Sequence, residues 1–193
     1  MLVPITKKSA LIVVDMQKDF CSSGSLPVPG CDELIPKINA LIKTFKSLGL
    51  PVIFSRDWHP PNHSSFKDFG GVWPPHCIQG TEGAEFHEDL EIPEGSIIIS
   101  KGASPERDAY SAFDGTELHY LLSLRNVRRV FVCGVATDYC VKETALDALR
   151  LGYEVIVIED AAAPVSVDGG RKALKEILRF GGIIAESREV VTY

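Results

Sequence analysis

The sequence predicts an α/β fold of three layers, in which a six-stranded, mainly parallel sheet carries helices on both faces. Three observations predict it. Six short runs rich in β-branched residues recur along the chain, segments of helical period separate them, and the runs are apolar throughout instead of alternating with polar residues. A strand apolar on both sides is buried on both, which is where strands of a helix-covered parallel sheet sit.

The first run is ALIVV, residues 10 to 14. After it, Leu34, Ile38, Leu41, Phe45 and Leu48 recur at steps of four and three, and Gly49 supplies a stop, so a helix is expected there. The second run, PVIF (51 to 54), leads into a long stretch, residues 55 to 95, with little regular periodicity. SIIIS (96 to 100) is the third strand and another long loop, 101 to 115, follows it. A weaker helical pattern holds Leu118, Leu121 and Leu122. RVFVCGV (129 to 135) is the fourth strand, followed by a helix containing Val141, Ala145, Ala148 and Leu149 and closed by Gly152. EVIVI (154 to 158) is the fifth, and Ala173, Leu174, Ile177 and Leu178 form the last helix before GGIIA (181 to 185). The two long loops break the expectation of short connections, and such loops are more often functional than idle.

Length and composition agree with one domain over residues 1–193, large enough to bury a core without disulfide or metal staples. A net charge of -6 provides no basic surface for nucleic acid or anionic lipid. No apolar run approaches the roughly 18 to 20 residues needed to span a bilayer, and MLVPITKKSA lacks a signal-peptide core, so a cytoplasmic protein without membrane partners is expected. Five cysteines at irregular spacings, with no Cys-x-x-Cys, argue against a secreted disulfide framework and a tetrathiolate zinc site. At least one thiol should be free.

In a parallel sheet the ligand sits beyond the carboxyl ends of the strands. Asp15 follows ALIVV, Asp57 follows PVIFSR, Lys101 follows SIIIS, and Cys140 lies shortly after RVFVCGV. Each alone could be a solvated strand end; four different chemistries on one edge suggest a site. In GVATDYCVKETALDAL, Thr137 is placed to cap a helix starting near Asp138, which puts Cys140 in its first turn. There the helix dipole, with Lys101 nearby, favours thiolate and lowers a pKa that starts near ~8.5. Asp15 can serve as general base, and backbone N–H groups of the turn can hold an oxyanion. Cys133, within a strand, reads as core.

The loop SRDWHPPNHSSFKDFGGVWPPHC (55 to 77) concentrates Asp57, His59, His63 and His76. Oxygen and imidazole donors suit one divalent ion, zinc first, with iron and manganese as alternatives. Asp57, His59 and His76 are the expected ligands. His63 is a weaker ligand or a supporting residue, because the short Pro-Pro-Asn spacer offers no helix on which it would face His59. Cys77, next to His76, reads as a buried thiol.

VDMQKDF, SRDWHPPNH, WPPHC, SKG and GVATDYCV, in this order and spanning most of the chain, make it resemble the nicotinamidases (pyrazinamidases) among the isochorismatase-like cysteine hydrolases. The resemblance implies the isochorismatase-like hydrolase fold and a catalytic triad of Asp15, Lys101 and Cys140. It also implies a metal on Asp57, His59 and His76, a cis Val135-Ala136 bond, and an oxyanion hole made by the N–H groups of Ala136 and Cys140. Phe20 and Trp73 match the aromatic wall of the substrate pocket, with Tyr110 nearby. The implied reaction converts nicotinamide to nicotinate and ammonia through a thioester, in NAD salvage, by a homodimer or larger homo-oligomer. Pyrazinamide is a further implied substrate.

Related amidases acting on N-carbamoyl or ureido compounds keep the triad and form the alternative; the DWH and WPPHC segments point away from them. A phospho-receiver domain lacks the reactive cysteine. A dinucleotide-binding enzyme needs a glycine-rich turn after the first strand, which VDMQKDF does not supply.

Overall fold

The computed structural model of the protein describes residues 2–192. In chain order its elements are β1 (Val3–Ile5), β2 (Ser9–Val14), α1 (Cys31–Ser47), β3 (Val52–Asp57), β4 (Ile97–Lys101), α2 (Leu118–Leu124), β5 (Arg129–Val135), α3 (Lys142–Arg150), β6 (Glu154–Ala163), α4 (Val167–Arg179), β7 (Ile183–Ala185) and β8 (Val190–Thr192). The main sheet runs β4-β3-β2-β5-β6-β7, and every neighbouring pair is parallel. All six expected runs are in it. A second sheet, β1 paired with β8, was not expected, because three-residue strands leave no readable period.

The sheet divides the core into two. On one face, α1 lays Leu34, Ile38, Leu41 and Phe45 against Leu11, Val13, Phe54 and Phe131. On the other, Leu118 and Leu122 of α2, Ala145 and Ala148 of α3, and Ile177 of α4 cover Ile12, Val14, Ile53, Val130 and Val132. Odd and even residues of one strand therefore serve different cores, which explains the uninterrupted apolar runs. No helix among the described residues is long and apolar enough to cross a membrane.

Two local features shape the carboxyl edge. Gly134 has φ +109°, and a Cβ there would lie 2.1 Å from the Val14 carbonyl oxygen, so only glycine lets β5 pass β2 this closely just before the Cys140 turn. The α3 region differs from its expected start: Thr137–Val141 form one π-helical turn before α3, and the Val141 N–H returns five residues to the Ala136 carbonyl. Thr137 does not cap it. Asp138 instead turns outward and accepts from the N–H groups of Val165 and Ser166 ahead of α4.

Candidate active site

Parallel register brings the strand ends to one level. Asp57 of β3 is paired with Lys101 of β4, while Val14, the last residue of β2, lies beside Ser55 of β3 and Gly134 of β5. Asp15 and Cys140 follow those ends. The result is a buried cluster around Lys101, whose Nζ lies 2.8 Å from Asp15 Oδ2, 2.5 Å from Asp57 Oδ1, and 3.3 Å from Cys140 Sγ. Asp15, Asp57 and Cys140 present ligand atoms within 4.8 Å of one another.

One buried ammonium thus serves three acidic groups. Burial works against the Lys101 charge, yet the two carboxylates and the sulfur outweigh it and raise its pKa well above the usual value. Burial would also neutralise Asp57, but the Lys101 ammonium beside it outweighs this and holds that carboxyl well below its usual range. Asp15 is raised, by burial first, with Lys101 opposing and Asp57 adding. Cys140 corrects the expectation of a lowered thiol pKa. Burial pushes it well above the ordinary value despite Lys101, and Asp15 and Asp57 push the same way. The helix-end argument omitted the desolvation of a site this dry.

Next to this cluster, Asp57, His59 and His76 converge, all buried and with ligand atoms within 4.8 Å. His59 Nδ1 lies 2.8 Å from the Gly102 carbonyl, and His76 Nδ1 lies 2.8 Å from the Pro74 carbonyl. A carbonyl can only accept, so each ring carries a proton on Nδ1 and turns Nε2 toward Asp57. The two Nε2 atoms stand 3.5 and 3.8 Å from Asp57 Oδ2. With neutral rings, three acceptors face one another, an arrangement that a cation resolves. Ligand bonds of about 2.0–2.2 Å allow one ion to bridge donors at these separations. The residues therefore fit a divalent metal.

His63 does not join the three. Its Nδ1 lies 2.7 Å from Ser65 Oγ, its Nε2 lies 3.1 Å from the Arg107 carbonyl, and its ring stacks on His59 at 4.0 Å between centroids. It supports the His59 plane. Although His63 also forms a possible donor group with His59 and Asp108, its ring nitrogens already have these partners. Gly102, at φ +61°, supplies the carbonyl that orients His59, and a Cβ there would lie 2.5 Å from the imidazole. Gly102→Ala should displace the ring and weaken metal affinity roughly 10- to 100-fold, the range typical for disturbing a ligand's support. Titration with a competing chelator checks this; wild-type affinity in a folded variant would contradict it.

A pocket of about 530 Å³, counting its open mouth, joins the Cys140 thiol to two of the three candidate metal donors, Asp57 and His76. Phe20, Trp73 and Tyr110 line it as expected, together with Asp57, His76, Ala136 and Cys140. Trp73 Nε1 donates to the Tyr110 hydroxyl at 3.0 Å, tying two walls together. Leu26, Pro27, Val28, Asp108, Tyr139 and Val165 also line it and were not singled out beforehand. Tyr139 adjoins Cys140 and Asp108 lies in the long loop 101 to 115, so position alone could have suggested both. Leu26, Pro27 and Val28 lie on a loop closed by a disulfide between Cys21 and Cys31, a pairing that spacing could not reveal. Cys77, Cys133 and Cys140 are free and buried.

Two polar residues after β2 hold the segments that carry Asp57 and His76 in place. Gln17 is fully buried; its Nε2 donates to the Asp57 carbonyl at 2.8 Å and its Oε1 accepts the Asp57 N–H at 2.8 Å. Asp19 Oδ2 accepts the Cys77 N–H at 2.7 Å, next to His76. The Val135-Ala136 bond is cis, as the resemblance implied.

Comparison with known proteins gives consistent matches. The isochorismatase domain model matches residues 9–189. The nicotinamidase of Escherichia coli is 41% identical over 179 residues, 82% of this chain and 84% of its own. The structure of pyrazinamidase of Pyrococcus horikoshii in complex with zinc superposes with a TM-score of 0.90 at 49% identity, covering 93% of this chain and 99% of that one. That of PnC1 from L. infantum in complex with nicotinate gives 0.94 at 38% identity, covering 100% of both.

Proposed function

The chain belongs to the isochorismatase family, and from that premise we propose that it is a metal-containing cysteine hydrolase converting nicotinamide to nicotinate and ammonia. The observation that carries this reading is a single aromatic-walled pocket lined by Cys140, Asp57 and His76, where the thiol's cluster with Asp15 and Lys101 adjoins three convergent donors for a metal. One structural relative is a complex with zinc and the other a complex with nicotinate, which supports an ion at the three donors and a pyridine carboxylate as product.

In the mechanism, Asp57, His59 and His76 would hold the ion, zinc being the first choice and iron or manganese the alternatives. When bound, it supplies a positive pole for the pyridine nitrogen and offsets the Asp57 charge that opposes thiol ionisation. Phe20 and Trp73 hold the ring so that the carboxamide carbon meets Cys140. Asp15 takes the thiol proton, and the sulfur bonds to that carbon while the N–H groups of Ala136 and Cys140 donate to the developing oxyanion. Asp15 returns the proton to the amide nitrogen as the C–N bond breaks, leaving ammonia and a thioester. Water then attacks the thioester; Asp15 takes the water proton and passes it to the departing sulfur. Lys101 remains an ammonium throughout, balancing the charge on Asp15 and on sulfur. The product suits reuse in NAD salvage.

Purified, metallated protein should release ammonia and nicotinate from nicotinamide in equal amounts. No release from nicotinamide would overturn the substrate assignment and turn attention to carbamoyl amides.

A further inference from the structure

Asp15 has two carboxylate oxygens, and its surroundings treat them differently. Oδ1 accepts a hydrogen bond of 2.7 Å from the Ser55 hydroxyl. Oδ2 faces Lys101 at 2.8 Å but accepts no directed hydrogen bond among the described residues, although it is fully buried. Ser55 also holds the Asp15 backbone, because its carbonyl accepts the Asp15 N–H at 3.1 Å. That second contact matters, since Asp15 has φ +50°, where a non-glycine residue is seldom found without local support.

We propose that Ser55 is a positioning residue for the hydrolysis, gripping Asp15 at Oδ1 and at its N–H so that Oδ2 stays open toward Cys140 as the proton acceptor. The inference rests on the hydrolase reading above and adds to it which oxygen acts and what holds it there. A carboxylate held only by Lys101 can turn about its Cα–Cβ and Cβ–Cγ bonds, because an ammonium is a compact charge with no fixed planar match to a carboxylate. A hydroxyl in hydrogen-bond contact with one oxygen removes that freedom. It also engages a lone pair of Oδ1, which leaves Oδ2 the more available acceptor. Ser55 is itself fully buried at the end of β3, two residues from Ile53 of the apolar core, so the Asp15 carboxylate satisfies a hydroxyl that is otherwise costly in that setting. Proton transfer depends steeply on such placement.

The test compares Ser55→Ala and Ser55→Thr with the wild type. In Ser55→Ala, kcat for nicotinamide should fall roughly 10- to 100-fold while KM, bound metal and the circular dichroism spectrum change little. Ser55→Thr keeps the hydroxyl and should recover most of that loss. A crystal structure of Ser55→Ala should show the Asp15 carboxylate turned from its wild-type orientation. Wild-type kcat in Ser55→Ala, an unmoved Asp15, or parallel loss of fold, metal and activity would each overturn the proposal, the last by making Ser55 merely structural. If the wild type itself leaves nicotinamide intact, the function assignment fails, and the orientation of Asp15 in the variant crystal still decides the role of Ser55.

Discussion

Replacing Cys140 with alanine should remove nicotinamide hydrolysis, with turnover falling by at least about 10⁴-fold, while metal and nicotinamide should still bind. The size of the effect follows from the position of the sulfur. It lines the pocket, sits 3.3 Å from Lys101 Nζ, and shares the cluster with Asp15. The other free thiols cannot substitute. Cys133 lies inside β5 and Cys77 is fully buried, and neither lines the pocket, so neither sulfur can reach a carboxamide held there. Alanine removes the nucleophile without touching the three metal donors or the aromatic walls, so binding persists. Equilibrium dialysis of nicotinamide, metal analysis and a sensitive ammonia assay check the three parts together. Turnover within tenfold of the wild type would mean that no thioester is formed at this residue.

The distribution of what could be read from the sequence has a physical cause. Strand runs announce themselves because burial on both faces forces continuous apolar residues, and strand ends announce themselves because polarity returns there. Asp15, Asp57, Lys101 and Cys140 were therefore visible as positions on one edge, and parallel register then brings their side chains together. Ser55, Gln17 and Asp19 were not singled out, since a serine before a strand end or a glutamine after one is compatible with any surface turn. Their importance lies in partners 40 and 58 residues away in the chain, at Asp15, Asp57 and Cys77. The Cys21–Cys31 pair and the wall formed by Leu26, Pro27 and Val28 depend on how a loop folds back. The direction of the Cys140 shift needed the depth of burial, which outweighs the nearby ammonium; a sequence supplies the charges but not how dry they are.

Asp57→Ala should abolish metal binding and lower activity by more than about 10³-fold, a larger loss than His76→Ala causes. Both variants lose one donor. Asp57 does more, because Oδ2 faces the two imidazoles at 3.5 and 3.8 Å while Oδ1 takes Lys101 at 2.5 Å, so one carboxylate joins the metal donors to the thiol cluster. Removing it leaves Lys101 with Asp15 as its remaining carboxylate partner, and leaves His59 and His76 without a negative charge between them. Excess zinc should therefore restore part of the activity of His76→Ala, where Asp57 and His59 remain, but little of that of Asp57→Ala. His63→Ala should behave differently again: the ring supports His59 by stacking at 4.0 Å and its nitrogens face Ser65 and Arg107, so its loss should weaken affinity without removing one of the three donors. Metal content per chain, measured beside activity over a zinc titration, separates the three cases. Equal rescue of Asp57→Ala and His76→Ala would show that Asp57 acts as a ligand alone and that its bond to Lys101 has no part in the reaction.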